Sequence, residues 1–224
     1  MSGAFYYFAI VWLWLGIKRV FNYKFMKLFV VLVIVFCSSG CTPNLATEKV
    51  LHSAEQVYFP VNHRVQERLL CVPTAVSIVL EFYGRYFEPI ELKKLSMRYG
   101  NGSNLDNKVY SKTLFLDQIA GLRSIDSLWR EETFSLDNQG FMQGIGRIIR
   151  LLRNGVLVVI DTELAGGHAL IVNGVSEDRE VLYLIDTLSD APGVKIVSFS
   201  ELRSIWNSKK VGFSGRAMIY PTKP

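Results

Sequence analysis

Four short runs rich in valine, isoleucine and leucine follow one another in the last third of the chain: "GVLVVID" (155–161), "HALIVNGV" (168–175), "VLYLIDT" (181–187) and "VKIVSF" (194–199). Glycine, aspartate and asparagine separate them, and a fifth run, "GRAMIY" (215–220), comes near the end. Runs of this length and composition, bounded by turn formers, read as β-strands. Short turns such as "SEDRE" (176–180) fit antiparallel neighbours. Upstream the period is helical. Val72, Ala75, Val76, Val79, Leu80 and Phe82–Tyr83 fall on a helix over 72–83, and "EPIELKKLSMRY" (88–99) is an amphipathic helix with Pro89 near its start and Gly100 after it. Residues 113–122 and 141–153 read as two more helices, and "SELRSIW" (200–206) as a short one capped by Ser200, with Leu202 inward. Helices first and antiparallel strands after them predict an α+β fold, with N-terminal helices packed on an antiparallel sheet.

The front of the chain is different in kind. Residues 4–17, "AFYYFAIVWLWLGI", and 28–37, "LFVVLVIVFC", are apolar without a break, and Lys18, Arg19, Lys24 and Lys27 lie between them. Neither run reaches the roughly 20 residues of a spanning helix. The second has the layout of a secretory signal: basic start, short apolar core, then small residues. With Met26 as the start, "MKLFVVLVIVFCSSGC" is a compact signal ending at Cys41. It resembles a bacterial lipoprotein signal, with Ser38 where leucine is usual, and that resemblance implies lipid on Cys41. The alternative is an uncleaved signal anchor. Either way the expected place is the bacterial cell envelope, membrane-anchored, with the domain outside the cytoplasm. The expected organisation is a targeting segment over 1–41, a polar tether over 42–57 and one domain over 58–224.

Charge and cysteine usage follow from this division. Residues 1–40 hold four of the 25 basic residues and none of the 20 acidic ones, so the remainder carries 21 basic against 20 acidic, a net of +1. The basicity is a topology signal and gives no support for nucleic-acid binding. Of the three cysteines, Cys37 lies in the apolar signal and Cys41 at its end, which leaves Cys71 alone in the domain with no internal disulfide to form. Cys71 opens a helix, where the dipole and unpaired N–H groups favour a thiolate, the nucleophilic form. The alternative is a buried, inert thiol. His168 follows two glycines in "AGGHALIVNGV" (165–175) and opens an apolar strand, whereas His52 and His63 lie in polar surroundings and read as solvated. Asp186 closes the next strand, at the same end of an antiparallel pair as His168. That placement suits a carboxylate orienting an imidazole that activates a thiol. Asp190 is the better candidate for capping the turn "DTLSDAPG" (186–193). Three scattered histidines and one thiol do not make metal-ligand spacing, so neither metal nor other cofactor is expected.

Taken together, these segments resemble the bacteriocin-processing cysteine peptidases that cut after a double-glycine leader. "CVPTAVSIVLEFYG" (71–84) resembles that family's nucleophile helix, "GGHALIVNGVSEDREVLYLIDT" (166–187) its histidine strand, turn and aspartate strand, and "VKIVSFSELRSIW" (194–206) its closing strand and helix. The resemblance spans about 60–220, and 100–140 match nothing in it. It implies a papain-like fold in which Cys71 is the nucleophile, His168 the general base and acid, and Asp186 the orienting residue. The family places a glutamine six residues before its cysteine as an oxyanion-hole donor beside the cysteine N–H. Gln66, five residues before, is the candidate here. Val72 replaces the family's glycine after the cysteine, and Thr187 its proline after the aspartate. The implied activity is an exported, membrane-tethered peptidase with a peptide or protein substrate. With no Walker motif, the expected form is a free-standing processing enzyme or a peptidase-like lipoprotein, with an export system as the suggested partner. The alternatives are a peptide-binding module without turnover, or an acyl- or amide-transfer enzyme using the same triad.

Overall fold

The computed structural model describes residues 56–100, 112–188, 194–207 and 215–222. The chain divides into two compact units, Met1–Lys49 and Val50–Pro224, and every described residue belongs to the second. The targeting segment with Cys41, His52, most of the tether and Asp190 lie outside the described residues. Among the described residues no helix is long and apolar enough to cross a membrane.

The architecture is α+β. Its sheet has seven strands: β1 (Gln56–Tyr58), β2 (Trp129–Phe134), β3 (Val158–Thr162), β4 (His168–Ser176), β5 (Val181–Asp186), β6 (Val194–Ser198) and β7 (Arg216–Pro221). The order is β2-β7-β3-β4-β5-β6, every pairing is antiparallel, and β1 joins β4 beyond the end of β3. Among the described residues five helices accompany it: α1 (Cys71–Phe82), α2 (Pro89–Tyr99), α3 (Phe115–Arg123), α4 (Asn138–Arg153) and α5 (Phe199–Ile205).

Two strands escaped the sequence reading, and each has a local reason. β2, "WREETF", carries Arg130, Glu131 and Glu132 in its middle, which hides the alternation of a half-exposed edge strand. β1 has only three residues and falls in the segment read as tether. Helix α4 starts three residues earlier than its apolar period suggests, because the Asp137 carboxylate accepts from the Gly140 N–H at 2.6 Å and caps it.

Helix α1 explains where the core sits. It has no acidic residue in its first turn and no basic residue in its last, and Val72 through Leu80 are all buried. A helix apolar on every face must be covered on every face, and α1 packs on β4, α2 and α3. The indole of Trp206, at the end of α5, is fully buried near Phe134 and Phe141, and its Nε1 donates to the Ala217 carbonyl at 3.0 Å.

Gly144 of α4 lies directly under that indole; a Cβ there would come within 2.7 Å of the ring. Gly146, one turn face away on the same helix, has open space around it. Gly144→Ala is expected to destabilise by about 1–3 kcal/mol through overpacking, despite alanine's better helix propensity. Gly146→Ala should stabilise by up to about 1 kcal/mol. Denaturant unfolding of the two variants beside the parent checks the opposite signs.

Candidate active site

Leu69 takes a left-handed backbone (φ 62°), uncommon for a branched residue, and turns the chain into α1. No side chain caps this helix. Its first N–H groups, at Cys71 and Val72, therefore face the space beyond the helix end, and Pro73, with no N–H to offer, stands in the same first turn. The half-buried Cys71 carries a free thiol.

His168 is the first residue of β4 and only 2% exposed. Gly166 and Gly167 precede it at φ 83° and 110°, conformations that glycine adopts without strain, so the glycine pair turns the chain into the strand. Imidazole Nε2 lies 2.8 Å from Asp186 Oδ1. The imidazole also interacts with the Cys71 thiol, for which Nδ1 is the remaining ring atom. Asp186 ends β5 and is opposite Leu170, two residues along β4 from His168. Sheet register alone thus brings the carboxylate to the imidazole, and α1 brings the thiol to its other side.

The carboxylate has further partners. Leu188 donates its N–H to Oδ1 at 2.9 Å, and the Lys195 ammonium donates to Oδ2. His63, read from the sequence as solvated, is half-buried and donates from Nε2 to the Asp186 carbonyl at 2.9 Å. That reading is corrected: the segment before α1 runs along the end of β5 and gives His63 a fixed backbone partner. Gln66 is held by the same segment. Its N–H donates to the Thr187 carbonyl at 2.9 Å, and its side-chain oxygen accepts from the Thr187 hydroxyl at 2.7 Å. The structure therefore ties Gln66 to the residue after Asp186.

A narrow cleft of about 20 Å³ opens beside Cys71. Val72, Thr113, Glu131, Asp161 and Gly167 are among its lining, and Gln66 is not. Under it lies Lys93 of α2, a fully buried lysine whose Nζ donates to Thr113 Oγ1 at 2.9 Å. Burial lowers its pKa, while the negative charges of Asp117 and Cys71 act in the other direction. The sequence reading missed Lys93, Lys195 and His63. Each looks like one more polar residue in its own segment, and only distant partners distinguish it. Among the described residues no group of three histidine, cysteine, aspartate or glutamate side chains is arranged to hold a metal ion.

Electrostatics in the cluster oppose simple burial. Burial alone would make His168 harder to protonate, but its hydrogen bonds to Asp186 and Cys71, and their negative charge, outweigh this and raise it to about 9. Burial would likewise raise Asp186, yet the bonds from His168, Lys195 and the Leu188 N–H hold its carboxyl well below the usual carboxylate range.

The Peptidase_C39 like family matches residues 58–211. The chain belongs to this family, and its α+β architecture is the papain-like one that the sequence resemblance implied. Two solved structures are similar. The first is a double glycine motif protease from an AMS/PCAT transporter in complex with the leader peptide, at 12% identity and a TM-score of 0.48, covering 74% of this chain and 94% of that one. The second is the peptidase domain of Streptococcus ComA, a bi-functional ABC transporter involved in a quorum sensing pathway, at 13% identity and a TM-score of 0.48, covering 73% and 98%. No curated protein matches the sequence.

The raised His168 value sets a pH dependence. A group whose folded value lies above its ordinary 6.5 contributes stability that is whole below pH 6.5 and is lost as pH rises through about 9. Denaturant midpoints should fall across that window in the parent, and the fall should be absent in His168→Gln. Asp186→Asn removes the stabilising carboxylate, so the His168 ring should then titrate nearer 6.5 by NMR.

Proposed function

We propose that the protein is a cysteine peptidase in which Cys71 attacks the scissile carbonyl, His168 moves the proton and Asp186 orients the imidazole. The observation that carries this reading is that the His168 ring bonds the Asp186 carboxylate through Nε2 and interacts with the Cys71 thiol on its other side. With Nε2 committed to Asp186, Nδ1 holds the proton given up by the thiol before substrate arrives, so the reactive state is a thiolate–imidazolium pair. Sγ then bonds to the carbonyl carbon, and the oxyanion forms near the N–H groups of Cys71 and Val72, where a helix start favours negative charge. The imidazolium returns its proton to the departing amine, the C–N bond breaks, and water releases the acyl group from sulfur by the same steps in reverse order.

The proposed substrate is a peptide cut after small residues, a double-glycine leader being the model. A cleft of about 20 Å³ holds one or two waters and no side chain of any length, which suits glycine next to the scissile bond. The proposed setting is the cell envelope, with the domain held outside the cytoplasm by lipid on Cys41 or by an uncleaved anchor, beside an export system. One observation favours a second reading, a peptide-binding module without turnover. Gln66 is not among the residues lining the cleft beside Cys71, although the bond from Thr187 takes only its side-chain oxygen and leaves Nε2 free to donate.

Cleavage of a Gly-Gly-containing peptide by the detergent-solubilised full chain separates the two. Cys71→Ala should leave no activity above background. Asp186→Asn should reduce turnover by roughly 10–10³-fold while the fold is kept, since an orienting group is not consumed. Asp190→Asn should change little. Peptide binding with no cleavage by the parent establishes the second reading. For the tether, Cys41→Ser should release the protein from membranes or leave an uncleaved precursor, and lipid labelling that persists in Cys41→Ser excludes Cys41 as the acceptor.

A further inference from the structure

Lys195 is on β6, the last strand of the sheet order, and its side chain is 52% exposed. A lysine on an edge strand ordinarily faces water and guards the edge against pairing with another chain. This one instead reaches back over the sheet. Lys195 is opposite Leu184 and Asp186 is opposite Leu170, so Lys195 and Asp186 are diagonal neighbours on one face. The ammonium meets Oδ2, the one carboxylate oxygen that neither His168 nor the Leu188 N–H occupies.

We infer that Lys195 is a positioning residue for the site: by holding Oδ2 it stops the Asp186 carboxylate from turning about its last bond, and so fixes the ring that faces Cys71. The inference rests on the reading of Asp186 as the orienting group. The terminal torsion of an aspartate is broad and roughly two-fold. With Oδ2 released, either oxygen can meet His168 Nε2, and the ring loses a fixed partner while keeping a carboxylate beside it. Among the described residues, the groups facing this carboxylate are few. His168 comes from β4 and Lys195 from β6, while His63, from the segment before α1, meets only the backbone carbonyl. Cys71, from α1, lies across the imidazole.

Removing Lys195 therefore has two effects of opposite kind. The ring is placed less well, which lowers turnover. A positive charge beside the imidazolium–carboxylate pair is also gone, so the ring becomes more basic. An edge-guarding lysine would produce neither, and a general loosening of the fold would lower turnover without making the ring more basic.

The experiment is an NMR titration of the histidine rings in the detergent-solubilised full chain, with His168→Gln identifying the resonance, run beside peptide cleavage. Lys195→Met is expected to raise the His168 midpoint by about 0.3–0.7 pH unit at low salt, the scale of a half-exposed charge pair. It should also lower kcat by about 3–10-fold, and Lys195→Arg should restore both. At high salt the parent midpoint should move toward that of Lys195→Met, because an exposed charge is screened. An unchanged or lowered midpoint in Lys195→Met overturns the inference, and Lys195→Gln serves in its place should Lys195→Met fail to fold. Absence of cleavage by the parent would instead count against the peptidase reading, and the titration still decides the role of Lys195.

Discussion

Every residue of β4 is buried, and the strand is bonded along both edges, by β3 and then β1 on one side and by β5 on the other. A strand in that position has no water to satisfy its backbone, so its whole ladder must be paired within the protein. That requirement fixes the neighbours. β5 must return antiparallel through the short turn after Ser176, and β3 must deliver the chain to the Gly166–Gly167 turn. His168 opens β4 and Asp186 closes β5, so the pairing that satisfies the backbone also sets imidazole against carboxylate. Laying α1 over β4 then adds the thiol from almost a hundred residues earlier in the chain.

The polar cluster is placed in a wall of apolar residues, and this decides which protonation states it keeps. Ionised groups out of water need close partners of opposite charge. His168 finds Asp186 and Cys71; Asp186 finds His168, Lys195 and a backbone N–H. Helix α1 contributes the thiol and no buried charge of its own, so nothing on that helix competes for the imidazole. Lys93, fully buried under the cleft, repeats the arrangement on a smaller scale, with the Thr113 hydroxyl as partner and Asp117 as a countercharge.

Membership of the Peptidase_C39 like family agrees with this geometry, although the chain departs from the family pattern at three of the positions that the resemblance carries. Val72 lies where glycine is usual, and it is buried along the cleft beside Cys71, where its side chain narrows the opening. Gln66 is one residue nearer the cysteine than usual and is bonded to Thr187, which itself replaces a proline. The departures at 66 and 187 are connected: a proline at 187 would have no side-chain hydroxyl to hold the Gln66 side-chain oxygen.

The amino-acid sequence by itself determined the α+β class, the placing of Cys71 at a helix start, and the positions of His168 and Asp186 at the ends of adjacent strands. All of these are written in local terms: period, turn residues, and a polar residue where an apolar run begins or stops. β2 was hidden because charged residues on a half-exposed edge strand erase the alternation. Tertiary structure alone decided that His63 meets the Asp186 carbonyl and that Gln66 meets Thr187, pairs separated by 123 and 121 residues. It likewise decided that Lys93 is buried beside Thr113 and that Lys195 turns inward from the sheet edge. The physical reason is that local pattern records how a residue sits on its own helix or strand, whereas the partner of a buried or inward-turned charge is chosen by which distant element packs against it.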